Sequence, residues 1–167
     1  MPAPRVLWRP IGSRLFCMTF HNWYAARRAI LVSWGATLSR TSRIRPTAII
    51  TEPWNLTMGR ETSLGDHARV ECPAPVVLGD FVTVSQHAAI SSAELGPPGS
   101  GPGHGPAPVR IENDAWIGTE AFVGPGVRIG EGAVLGAKAT AFLDLAPWTI
   151  YGGEPLAVIG TRTKPPD

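Results

Sequence analysis

Between Ile111 and Ala141 an apolar residue returns at every sixth position: Ile111, Ile117, Val123, Ile129, Leu135 and Ala141. Gly118, Gly124, Gly130 and Gly136 each stand directly behind a residue of this series. A second apolar column, Ala115, Ala121, Val127, Ala133 and Ala139, lies four positions on. The same step holds at Met58, Leu64 and Val70, and again at Leu78, Val84 and Ile90. A helix repeats at about 3.6 residues and a flat strand at about 2, so a period of six fits neither as a simple face. It fits short strands joined by tight turns, each segment sending one residue inward before the chain bends. Glycine behind the inward residue suits a bend or a close approach of backbone. Recurring hexapeptides are the mark of a parallel β-helix, whose stacked coils bury one continuous core. Three six-residue sides make a coil of about 18 residues, and residues 44–160 then allow about six coils.

The phase breaks twice. "ECPAP" (71–75) reads as a short turn insert. "SSAELGPPGSGPGHGPAP" (91–108), with five glycines and five prolines, reads as a long loop, because proline and glycine at that density suit neither a helix nor a strand interior. Long structureless excursions from compact domains are often functional. The chain as a whole, 167 residues with 19 glycines and 17 prolines, is rich in turns, and 44% hydrophobic residues make it globular. Cys17 and Cys72 give no disulfide framework and no metal-ligand spacing, and no metal is expected.

Residues 1–43 form a separate N-terminal segment, ahead of the repeat at 44–160 and a short tail at 161–167. Asn22 to Trp34 suits a helix, with Asn22 as its cap and Gly35 as its stop. Trp23, Ala26, Ile30 and Trp34 fall on one face at helical spacing. That face either packs on the repeat or rests at a membrane surface. Residues 1–60 hold nine arginines and one acid, Glu52, although the net charge of the chain is only +2. A basic segment beside an acidic body is most often a solvated face; the alternatives are attraction to anionic lipid and, with less behind it, to nucleic acid, for which no aromatic-plus-basic motif is present. Arg27 and Arg28 interrupt the apolar run, which leaves neither a membrane span nor a good signal peptide, and a cytoplasmic protein is expected.

The pattern resembles the hexapeptide-repeat acyltransferases, and more closely the colanic acid biosynthesis acetyltransferase-like proteins of exopolysaccharide clusters. The residues that carry the likeness are "IRPTAIITEPWNLTMG" (44–59), "VTVSQHAAI" (82–90), "AWIGTEAFVGPGVRIGEGAVLGAKA" (115–139) and "YGGEPLAVIG" (151–160). The resemblance implies an all-β chain, a left-handed parallel β-helix of hexapeptide repeats with a short N-terminal helical segment. It also implies a homotrimer that moves an acetyl group from acetyl-CoA to a hydroxyl of a sugar or saccharide precursor. Trp116, Gly118, Gly136, Ala137 and Lys138 match the coenzyme-side turns of that family. Arg162 and Lys164 follow its closing turn and are candidates for the nucleotide phosphates. The family's catalytic histidine falls nine residues after Gln86, where this chain has Leu95 and then Gly96. Three residues are candidates for the missing base: His104 in the loop, His87 within a coil, and Glu94 beside the vacant position. The alternative is a non-catalytic β-helix subunit, a binding or assembly protein that has lost the base. A three-histidine metal site of the carbonic anhydrase kind requires converging imidazoles, whereas His67, His87 and His104 are scattered along the sequence.

Overall fold

In a computed structural model that describes residues 5–94 and 105–164, short strands recur in threes and each third strand stacks in parallel on its predecessor. Thr37–Leu38, Leu56–Met58, Val76–Leu78, Val109–Ile111 and Arg128–Ile129 build the first face. Arg43–Ile44, Ser63–Leu64, Thr83–Val84, Trp116–Ile117, Val134–Leu135 and Thr149–Gly152 build the second. Ile49–Ile50, Arg69–Glu71, Ala89–Ser91, Phe122–Val123 and Thr140–Ala141 build the third. This is a three-sided parallel β-helix. The strand Ala157–Thr161 turns back antiparallel on Thr149–Gly152 and closes the second face.

Every residue of the six-step series is buried, Ile111 to Ala141 at no more than 1% exposure, and so is the column four positions on. Each aliphatic residue stacks on its counterpart one coil away: Ile111 on Ile129, Ile117 on Leu135, Val123 on Ala141. Burial of each large aliphatic side chain contributes about 1.5–3 kcal/mol, and the columns form one uninterrupted core. Coil length departs from the hexapeptide expectation in the first half. Ile44 pairs with Leu64, Ile50 with Val70 and Met58 with Leu78, a coil of 20 residues, whereas Ile111 to Ile129 takes 18. The longer turns lie at the corner between the third and first faces, where 51–55 and 71–75 carry their prolines.

The glycine column has a different cause from a bend. A Cβ at Gly118 would lie 2.6 Å from the nitrogen of Ala137 and 2.8 Å from the carbonyl carbon of Gly136, so the next coil already occupies that space. The sharp turns fall two residues later, on non-glycine residues with φ near +60°: His67, His87, Glu120 and Lys138 at the corner between the second and third faces.

The N-terminal segment caps the first coil. Residues Arg5–Leu7 and Trp8–Gly12 wind irregularly into a short helix α1 (Ser13–Cys17), and a longer helix α2 spans Tyr24–Ser33. Asn22 does not cap α2: the cap residue is Trp23, without a side-chain bond. The covered face of α2 is also rotated from the expected one. Arg27, Leu31 and Trp34 are buried, and Trp23 is half exposed. Gly35, at φ +96°, ends α2 in a Schellman turn, with Gly35 N–H donating to Val32 O and Ala36 N–H to Leu31 O. The upper edge of the first coil is met by side chains. Arg28 donates to Ser42 O, Arg27 to Ile44 O and the Trp8 indole to Ile50 O, at 2.9, 2.6 and 2.9 Å. No helix among the described residues is long and apolar enough to cross a membrane.

Candidate functional site

The second face and its corner with the third carry a groove of about 320 Å³. Outward-facing residues alternate with the buried column along each strand, so Arg43, Ser63 and Thr83 line up on successive coils and form its floor. Ser85, Gln86 and Arg45 form the corner wall, and Tyr24 reaches over from α2. Hydroxyls, an amide and guanidinium groups therefore converge on one concave surface. Trp116 continues the floor by one coil. Its half-exposed indole donates from Nε1 to Ser85 Oγ at 2.9 Å, which fixes the ring beside the groove. The two arginines are held in place by carboxylates: Arg43 pairs with Glu61 at 3.0 Å and Arg45 with Asp66 at 3.6 Å.

A larger hollow of about 500 Å³ opens near the last coils, lined by Glu112, Glu131, Asp144 and Arg128 among others. Its three carboxylates oppose an anionic ligand, and Glu112 is already held by Arg110 and Arg128 at 2.8 and 3.0 Å. None of the five residues matched to the coenzyme-side turns, Trp116, Gly118, Gly136, Ala137 and Lys138, lies there.

The structure brings the five coenzyme-side residues together. Trp116 and Gly118 sit one coil above Val134 and Gly136, and Lys138 N–H donates to Thr119 O at 2.8 Å. Ala137 and Lys138 are exposed at the corner, and the Lys138 ammonium reaches Glu120 at 3.9 Å. Gly118 is buried beneath its neighbours, as the stacking described above requires. Arg162 lies at a different corner, donating to Asp114 O at 2.7 Å with its guanidinium over the Trp148 ring.

Of the candidate bases, His104 lies outside the described residues, as do Leu95 and Gly96. Glu94 ends the described part of the chain before the loop. The base of that loop is clamped by Ser92, whose hydroxyl donates to Ala74 O at 2.8 Å, while Ala107 N–H donates back to Ser92 O at 3.0 Å. The loop thus leaves from the corner between the third and first faces, not from the corner that carries the groove. His87 follows Gln86 at the groove's own corner and is exposed. Far from being scattered, His87 and His67 stack one coil apart, with ring centroids at 4.9 Å and planes at 15°. The coil length of 20 brings them together, a juxtaposition invisible to a six-residue period. Among the described residues no group of three or more metal-ligating side chains converges.

The fold is that of the hexapeptide-repeat β-helix proteins. Residues 108–140 match the family model for the bacterial transferase hexapeptide (six repeats). The chain is 28% identical over 158 residues to the putative colanic acid biosynthesis acetyltransferase WcaF of Escherichia coli (strain K12), covering 95% of this chain and 87% of that protein. Two solved structures share the fold. A maltose O-acetyltransferase from Clostridium difficile 630 superposes with a TM-score of 0.81 at 22% identity, over 96% of this chain and 87% of its own. A hexapeptide-repeat-containing acetyltransferase from Vibrio cholerae O1 biovar eltor, complexed with acetyl coenzyme A, gives 0.78 at 20%, over 92% and 84%.

Proposed function

We propose that this chain is an acetyl-CoA-dependent O-acetyltransferase acting on a sugar or exopolysaccharide precursor. The observation that carries the reading is the groove of hydroxyl, amide and guanidinium groups beside an exposed, hydrogen-bonded Trp116. A polyhydroxylated acceptor offers matching donors and acceptors to the groove. The likeness to a colanic acid biosynthesis acetyltransferase over most of both chains supports the donor as well as the acceptor class. The exposed corner at Trp116, Ala137 and Lys138 fits the coenzyme. Small side chains admit a thin pantetheine arm there, and Lys138 offers a point charge to a phosphate.

In the reaction the acceptor hydroxyl oxygen attacks the thioester carbonyl carbon, the C–S bond breaks, and the coenzyme leaves as its thiol. A base takes the hydroxyl proton. The base is assigned to His104. Its loop is rooted at Ser92 and Ala107, one corner away from the groove, and the assembly proposed is a homotrimer, in which neighbouring copies adjoin. His87, already beside the groove, is the in-chain candidate, and Glu94 at the loop root the third. The test is coenzyme binding by calorimetry, followed by turnover with candidate sugar acceptors. Coenzyme A binds, and His104→Ala lowers turnover by about 10²–10⁴ while His87→Ala and Glu94→Gln stay near the parent. No coenzyme affinity refutes the enzyme reading and leaves a non-catalytic binding subunit. A loss confined to His87→Ala or to Glu94→Gln moves the base to that residue.

A further inference from the structure

Residues 6–20 are more apolar than the body can cover. Trp8, Gly12 and Phe16, spaced four apart, are buried against the first coil. Beside them runs a second row, Leu7, Ile11, Leu15 and Met18, and all of it faces outward, with Met18 at 80% exposure. Val6 at 86% and Phe20 at 68% extend the patch at either end, where Phe20 meets Trp23 edge-on at 5.0 Å. The charged residues beside this row are cationic. Arg14 makes no ion pair among the described residues, and Arg9 stands 3.7 Å from Glu52, the one acid in the first sixty residues.

An apolar helical row edged by arginines, with aromatic residues at its end, has the composition of a segment that lies in the plane of an anionic interface. We propose that residues 6–20 form a membrane-docking surface. The row Leu7, Ile11, Leu15, Met18 beds at the acyl boundary, and Arg9 and Arg14 sit among anionic headgroups. The charge pattern favours lipid over a second copy. Two such rows facing each other bring Arg14 against Arg14 with no acid between them. Four acids of the body, Glu61, Glu71, Asp80 and Glu112, are already paired within their own chain, which leaves fewer to receive them. The docking element runs directly into α2, whose first residue, Tyr24, overhangs the groove, so the surface and the groove are joined by three residues of chain.

Vesicle flotation of the full chain tests this without coenzyme or acceptor, so its result is independent of the acetyl-transfer reading. The vesicles are phosphatidylcholine alone, or three parts phosphatidylcholine to one part phosphatidylglycerol. The expected result is partition to the anionic vesicles that weakens as salt rises. The double variant Ile11→Ser, Leu15→Ser lowers partition about a hundredfold, roughly tenfold for each side chain withdrawn from the interface. Arg14→Glu lowers it about tenfold on anionic vesicles and leaves it unchanged on neutral ones. A second double variant, Met18→Ser with Phe20→Ser, acts at the other end of the row, and an unchanged melting temperature shows that each variant stays folded. Absence of parent binding, or equal binding by parent and variants, overturns the proposal. So does sedimentation showing that the row variants dissociate an oligomer, which makes a second copy the occupant.

Discussion

Replacing Arg27 is expected to loosen the N-terminal segment from the β-helix. Its side chain is fully buried and meets no carboxylate among the described residues. Nε donates to Ile44 O at 2.6 Å, Nη1 to Thr19 Oγ1 and Phe20 O at 2.8 and 2.7 Å, and Nη2 to His21 O at 2.8 Å. Burial holds its pKa below the ordinary guanidinium value, and the guanidinium is the side chain best suited to carry charge at a buried site. In Arg27→Met four acceptors lose a charged donor. The bond to Ile44 O is sealed from water and is worth about 2 kcal/mol, and the other three, nearer solvent, about 1 kcal/mol each. Removing a buried cation returns about 1–2 kcal/mol of desolvation cost, so the net loss is about 3–4 kcal/mol. For a chain of this size that lowers the melting temperature by about 10 °C. Circular dichroism melts measure it, and limited proteolysis places the opening, with cleavage expected between residues 5 and 36. Arg27→Lys recovers less than half, because an ammonium cannot reproduce a planar fork spread over four acceptors. An Arg27→Met protein that melts within about 2 °C of the parent, with cleavage unchanged, refutes the reasoning.

Gly118→Ala forces a methyl group into the backbone of the next coil and is expected to cost about 1–3 kcal/mol in denaturant unfolding, whereas Gly105→Ala, with nothing within 4 Å, is neutral. Cys72 is buried with its thiol facing Glu52 O, and desolvation pushes its pKa up to about 11. A thiol reagent at pH 8 therefore labels the exposed Cys17 alone, and both cysteines only in denaturant. Because the folded pKa lies above the unfolded one, Cys72 adds stability that is present below about pH 8.5 and declines as pH rises toward the folded value. Cys72→Ala should flatten the loss of stability over that alkaline range in unfolding titrations.

The β-helix was legible because its signal is steric and periodic: each coil must place an aliphatic residue inward at the same point, and Ile111 to Ala141 do so without a break. The glycines were legible as close approaches but not as coil-to-coil contacts, since the atom that excludes a Cβ at Gly118 belongs to residue 137. The covered face of α2 was misread because hydrophobic spacing cannot select Arg27. A guanidinium becomes a core residue only when the Thr19 hydroxyl and the carbonyls of Phe20, His21 and Ile44 arrive around it, and those come from the turn before α2 and from the first coil. The His67–His87 stack was hidden for the same reason, as it depends on two extra residues at a corner elsewhere in the coil. In the candidate site, Trp116 and Gln86 stand out in the sequence. The groove floor of Arg43, Ser63 and Thr83 does not, since three residues spaced twenty apart acquire meaning only once the coils are stacked.

The side-chain cap on the first coil bears on how such a molecule stays finite. A stack of parallel strands ends in a row of unpaired backbone groups that can template another chain, and repetition in register is the geometry of a fibril. Here the row offers carbonyls already engaged by Arg27, Arg28 and Trp8, groups that cannot themselves be extended as a strand. Stripped of its first 34 residues, the solenoid would present that row bare, and end-to-end polymerisation would become its simplest fate.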